Sequence, residues 1–133
     1  MTPRTERRAL QIAVALLALV PISAGLAGVV RGPAMVDGLA TAAPQDSHFR
    51  YLSGLLLAIG VAWWTTLPVI ERQGARVRLL AALVVCGGLA RLLSLAIVGV
   101  PSWPMLGALV MELVVTPAIA LWQARVARSM GSA

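Results

Sequence analysis

Halfway along the last two apolar segments of this chain stand an arginine and a glutamate, Arg91 and Glu112, nearly equidistant from the Pro101-Ser102 turn between them. Two antiparallel helices joined by so tight a turn bring both residues to one depth, where guanidinium and carboxylate can pair. At a rise of 1.5 Å per residue that depth is about 12–14 Å inside the turn. Charge inside a membrane segment is expensive, and it persists there as a functional site or as a fixed ion pair.

Arg50, one turn into the second apolar segment, enters from the same side, and its long side chain can reach inward or turn out to the interface. Asp46, four residues earlier on the same helical face, can engage it. The arithmetic sets Arg50, Arg91 and Glu112 on the walls of an outward-facing polar pocket, roofed by a long loop that carries His48. Three readings stand side by side. In the first, two arginines beside one glutamate leave a positive excess that suits a small polar or lipidic ligand, a lipid phosphate included. In the second, Arg91 and Glu112 are a purely structural ion pair in a packing or assembly subunit. In the third, Glu112 carries protons through a small transporter, with Pro117 freeing the Leu113 carbonyl beside it.

The remaining reactive side chains point to little chemistry. His48 has Asp46 near it but no second nitrogen or sulfur ligand, so no metal site is expected. Its other role would be pH sensing from the loop. Cys86 is the one cysteine, which excludes an intrachain disulfide. No nucleotide loop, serine nucleophile motif or paired-histidine motif occurs, and neither catalysis nor a cofactor is expected.

What positions the charges is a set of four apolar stretches, residues 9–30, 49–70, 77–100 and 104–123. Each is about 20 residues or more, enough to cross a hydrocarbon core of roughly 30 Å. With 59% hydrophobic residues and only 12% charged, the composition excludes an ordinary soluble domain. The expected fold is all-α: a single transmembrane domain of four helices in two antiparallel hairpins, with its longest loop over residues 31–48. The first segment has a basic start and a small-residue stretch at Ser23-Ala24-Gly25. Its apolar run exceeds that of a signal peptide, so a retained helix is expected.

A net charge of +6 raises the question of nucleic acid, but the placement of charge answers it. Arg4, Arg7 and Arg8 precede the first helix; Arg72, Arg76 and Arg78 join the second to the third; Arg125 and Arg128 follow the fourth. The opposite side holds only Arg31 and Arg50 near its loops. This asymmetry puts both termini and the middle loop in the cytoplasm and excludes a nucleic-acid partner. Tyr51 and Trp103 at one set of ends, with Trp63, Trp64 and Trp122 toward the other, form the aromatic girdle of two water interfaces.

Helical spacing assigns the inner faces. Gln11, Ala18, Pro21, Gly25 and Gly28 share a stripe on the first helix; Gly87, Gly88, Arg91 and Ser94 on the third; Ala108, Glu112, Thr116 and Gln123 on the fourth. Small residues let helices approach closely in lipid, within one chain or toward a membrane-protein partner or second copy. Pro21 lies within the first helix, Gly32-Pro33 and Gly99-Val100-Pro101 end the outward-going helices, Pro104 opens the fourth, and Asp46 or Ser47 can cap the second.

In order and spacing, three motifs match a known pattern: Ser47-His48-Phe49-Arg50-Tyr51-Leu52-Ser53-Gly54, Leu89-Ala90-Arg91-Leu92-Leu93-Ser94 leading to Gly99-Val100-Pro101, and Met111-Glu112-Leu113. Over roughly residues 9–125 the chain resembles a family of small bacterial membrane proteins catalogued only as a domain of unknown function, itself distantly similar to the DoxX-like four-helix proteins. The resemblance implies a bacterial membrane protein with the four-helix fold, for which the inner membrane is the expected location, and it draws attention to Arg50, Arg91 and Glu112. It implies no activity.

Overall fold

Residues 2–36 and 42–131 are described by the computed structural model, and every element among them is helical. Helix α1 spans Pro3–Arg31 and runs through Pro21 without a break. Thr2 opens it: its hydroxyl accepts from the Thr5 N–H at 3.3 Å and its carbonyl from the Glu6 N–H at 3.0 Å. A 3-10 turn, Gly32–Met35, follows. Helix α2 spans Ala43–Trp64, and a second 3-10 segment, Leu67–Arg72, is broken by the non-helical backbone of Val69. Helix α3 spans Gly74–Val98. The last helical run is α4, Trp103–Val110, a π turn over Met111–Val115, and α5, Thr116–Gly131.

Three of these runs, Pro3–Met35, Gly74–Val98 and Trp103–Gly131, are long and apolar enough to cross a membrane. Helix α2 has the length, at 22 residues, but its first turns carry Pro44, Gln45, Asp46, Ser47, His48 and Arg50. Its apolar stretch begins only after them. The helix starts at Ala43, so Asp46 and Ser47 lie inside the first turns rather than at the cap, and Ala42 takes the cap position with no side-chain bond. Pro44 explains the early start, because its fixed φ suits the first helical turn and its missing N–H costs nothing there. Of the loop expected over residues 31–48, residues 37–41 lie outside the described residues, while residues 32–35 form the 3-10 turn and residues 43–48 are helical.

The chain divides into two compact units, residues 1–11 with 68–133, and residues 12–67. In the first, Leu10, Ile70, Val77, Leu80, Ala81 and Val126 are buried and form a core at the arginine-rich end. In the second, Val14, Ala18 and Trp63 are buried, and Gly25 explains how closely α1 meets α2. A Cβ on Gly25 would stand 2.8 Å from the Leu57 Cα, so only glycine permits that approach. The Trp64 indole N–H donates to the Ala15 carbonyl at 3.0 Å. Elsewhere the apolar side chains face outward: Leu16 is 62% exposed, Leu93 60% and Leu121 73%. Outward leucines on helices of this length form an extensive apolar surface, compatible with a membrane protein.

Candidate functional site

Helix α3 ends at Gly99, whose φ of +112° lies where side chains are strained, and its N–H still reaches the Leu95 carbonyl at 3.2 Å. The chain turns through Pro101 and restarts at Trp103, with the Met105 and Leu106 N–H groups donating to the Ser102 carbonyl. The reversal brings α3 back against the π turn. Gly88, one turn before Arg91, is buried there, and a Cβ on it would stand 2.8 Å from the Glu112 Cβ and 2.7 Å from Leu113 Cδ2. The missing side chain is what lets the backbone carrying Glu112 come close enough for Arg91 to reach it.

The two charges meet as a fork. Arg91 Nε donates to Glu112 Oε2 at 2.9 Å, and Nη2 donates to Oε1 at 3.1 Å. Bidentate arginine–carboxylate geometry of this kind is the strongest and most directional form of the pair. The pair is only partly enclosed, with 32% of the Arg91 side chain and 17% of the Glu112 side chain exposed. The other guanidinium nitrogen, Nη1, donates to the Met105 sulfur at 3.0 Å. A thioether is a weak acceptor. Met105 and Glu112 stand two helical turns apart on one face, and the guanidinium lies between them.

Glu112 itself sits in a widened turn. The Thr116 N–H donates to the Met111 carbonyl five residues back, and the Thr116 hydroxyl donates to the same oxygen at 2.8 Å. The cause is Pro117: it has no N–H for the Leu113 carbonyl, and its ring would collide with that carbonyl in a regular helix. Winding one turn wider relieves the collision and satisfies the backbone through Thr116. The sequence pointed to the proline; the π turn it produces falls on the acidic residue.

Arg50 and His48 belong to the other unit. Arg50 Nε donates to Asp46 Oδ2 at 2.8 Å and Nη2 to Oδ1 at 3.3 Å. Its Nη1 donates to the carbonyls of Val29 and Val30, the latter at 3.1 Å. Those carbonyls are orphans of the last turn of α1, where the partial charge is negative and a cation is favourable. Gly32, at φ +61°, lets the chain leave α1 beside this guanidinium. So the Asp46–Arg50 pair expected from spacing forms, and it serves as the C-terminal cap of α1. His48 is exposed and stacks on Tyr51 at 6.5 Å between ring centroids.

The arginine-rich end holds contacts that sequence reasoning missed. Arg7 donates to Glu71 at 2.7 Å and to the Pro68 carbonyl at 2.7 Å. Arg125 pairs with Glu6 at 3.1 Å, and the buried Gln123 amide donates to the Ile70 carbonyl at 2.8 Å. The signal was available: Glu6 and Glu71 are the two acids placed among the clustered arginines. Every described acid is therefore paired with an arginine: Glu6, Asp46, Glu71 and Glu112. Among the described residues, no three of His, Cys, Asp and Glu gather closely enough to hold a metal ion.

A family model described as a domain of unknown function, DUF4345, matches residues 9–123, and the chain belongs to that family. The matched stretch contains α2, α3, α4 and the π turn, and with them Arg50, Arg91 and Glu112. No curated protein and no solved structure matches the chain.

Proposed function

We propose that this member of the family is a non-enzymatic protein of the bacterial inner membrane that holds a small polar or lipidic ligand at Arg91, on the outer-leaflet side of the bilayer. Four spans carry it, with both termini and the Glu71–Arg78 segment in the cytoplasm. Three helical runs with the required length and apolarity support this reading, and so does the crowding of arginine at one end. Helix α2 supplies the fourth span, with its polar first turns and Arg50 at the outer interface.

The observation that carries the ligand reading is the division of the Arg91 guanidinium. One edge is fixed by the Glu112 carboxylate; the other meets only a methionine sulfur, on a side chain that is one-third exposed. An oxygen acceptor on a ligand would replace the sulfur to advantage. The pair is neutral in sum, so the ligand it suits is an uncharged or zwitterionic polar group, such as a hydroxyl or an ester carbonyl, attached to an apolar body. Arg50 is left out of this site because Asp46 and the end of α1 take up its donors. A proton-carrying Glu112 is the weaker reading, since the carboxylate would have to leave both of its bonds to Arg91.

The test is native mass spectrometry of the chain extracted with its surrounding lipid. The wild type is expected to retain a ligand that the double variant R91M/E112L loses, because replacing both charges with apolar side chains preserves packing while deleting the donors. Equal retention by both proteins would end the proposal.

A further inference from the structure

The four ion pairs change the meaning of the arginine-rich end. Glu6 is taken by Arg125 and Glu71 by Arg7. No described acid remains for Arg4, Arg8, Arg72, Arg76 and Arg78, and all five are exposed. They belong to one compact unit, residues 1–11 with 68–133, so their field is concentrated rather than spread over the molecule. Positive charge near helix ends needs only to be present to set orientation. Here nothing in the described structure offsets it, and like charges crowded at one end repel unless a counter-charge arrives.

A place for that counter-charge exists. Glu71, Arg72, Ala127, Met130 and Gly131 line a surface recess of about 240 Å³. Its wall combines a free guanidinium with the apolar sides of Ala127 and Met130, and its one carboxylate is already bonded to Arg7. A phosphate diester on a glycerol backbone matches this lining: anionic oxygens toward Arg72, and the start of an acyl chain along Met130. Guanidinium planes bind such phosphates bidentately.

We infer that this face is a binding site for the phosphate of an anionic glycerophospholipid, seated in the recess beside Arg72 and drawn there by Arg4, Arg8, Arg76 and Arg78. The inference rests on the membrane placement proposed above but not on any ligand at Arg91. Basic pockets beside membrane helices on the cytoplasmic side recognise lipid head groups in this way.

The experiment reconstitutes the full chain into vesicles of equal parts phosphatidylglycerol and phosphatidylcholine. Flotation first reports insertion, and lipid retained after mild detergent extraction is then counted by mass spectrometry. The expected result is flotation with the vesicles and a preference of about tenfold for phosphatidylglycerol, reduced to near parity by R72Q/R76Q/R78Q. In the wild type, 1 M salt should weaken the preference as well, which gives a readout independent of the variant's folding. Equal retention of the two lipids, or a preference unmoved by both salt and substitution, would overturn the inference while leaving the membrane reading intact. Failure to float would overturn both. Displacement of the retained lipid by millimolar soluble glycerol phosphate would overturn the lipid assignment in favour of a free phosphate compound.

Discussion

The contact between Arg91 and Glu112 can be broken from either side, and the two breaks should not cost the same. Removing one partner of a fully buried pair costs about 3–5 kcal/mol, because the survivor keeps its charge without compensation. Arg91 has a long stem and a side chain 32% exposed, so after Glu112→Leu it can turn toward the interface; the cost should fall to about 2 kcal/mol. Glu112 is shorter, 17% exposed and held in the π turn, so Arg91→Met strands it, at about 3 kcal/mol. The double change replaces both with apolar groups and should cost no more than about 2 kcal/mol, leaving a coupling energy of about 3 kcal/mol. Equilibrium unfolding in mixed micelles, followed by tryptophan fluorescence and circular dichroism, would measure the four proteins. If the single effects simply add to the double, the fork does no work in the folded state and the reasoning from its geometry is wrong.

Gly88→Val should destabilise by about 2 kcal/mol in the same assay, because its side chain meets Glu112 and Leu113, while Gly87→Ala, with nothing within 4 Å of its Cβ, should be near neutral. Asp46→Ala should release Arg50 and fray the last turn of α1, seen as faster amide exchange over residues 29–32 with a stability loss of about 1 kcal/mol. Gln123→Leu removes the side-chain donor to the Ile70 carbonyl, which keeps only the Gln73 N–H at 3.2 Å, and should cost about 1 kcal/mol by thermal unfolding. Pro117→Ala restores a donor for the Leu113 carbonyl, and a regular helix through residues 111–115 should appear in backbone chemical shifts.

The hairpin that brings Arg91 to Glu112 was legible because few features decide it. Gly99 and Pro101 stop α3, Pro104 restarts the chain, and equal spacing from the turn sets equal depth. The Asp46–Arg50 pair was legible for the same reason, being local on one helix. What Arg50 does with its remaining donors was not legible, since the Val29 and Val30 carbonyls lie about twenty residues away and become acceptors only once α1 ends beside α2. The contacts at the arginine-rich end are longer-range still. Arg7 meets Glu71 across 64 positions, and no periodicity links them. Periodicity also assigned Gly87 and Gly88 to one face, whereas packing uses only Gly88. A helix turns 100° per residue, so neighbours in sequence cannot share one contact.

Within the unit formed by residues 1–11 and 68–133, the two ends are held by different physics. At the arginine-rich end, Leu10, Ile70, Val77 and Val126 are fully buried, and apolar packing joins the helices there. Toward the hairpin that packing gives out: Leu92, Leu93, Ile97, Val98 and Trp103 are 41–86% exposed. In the membrane placement proposed above, exposed leucines give α3 no reason to prefer α4 over the surrounding acyl chains, because hydrocarbon solvates them equally well. Something directional has to close the hairpin, and what lies between the helices there is the approach at Gly88 and the fork from Arg91 to Glu112. A charged pair is costly inside a membrane only against an alternative that holds the helices as well. At this end of the molecule apolar packing does not offer one, so the fork can close the hairpin while the guanidinium edge toward Met105 stays open to the ligand proposed above.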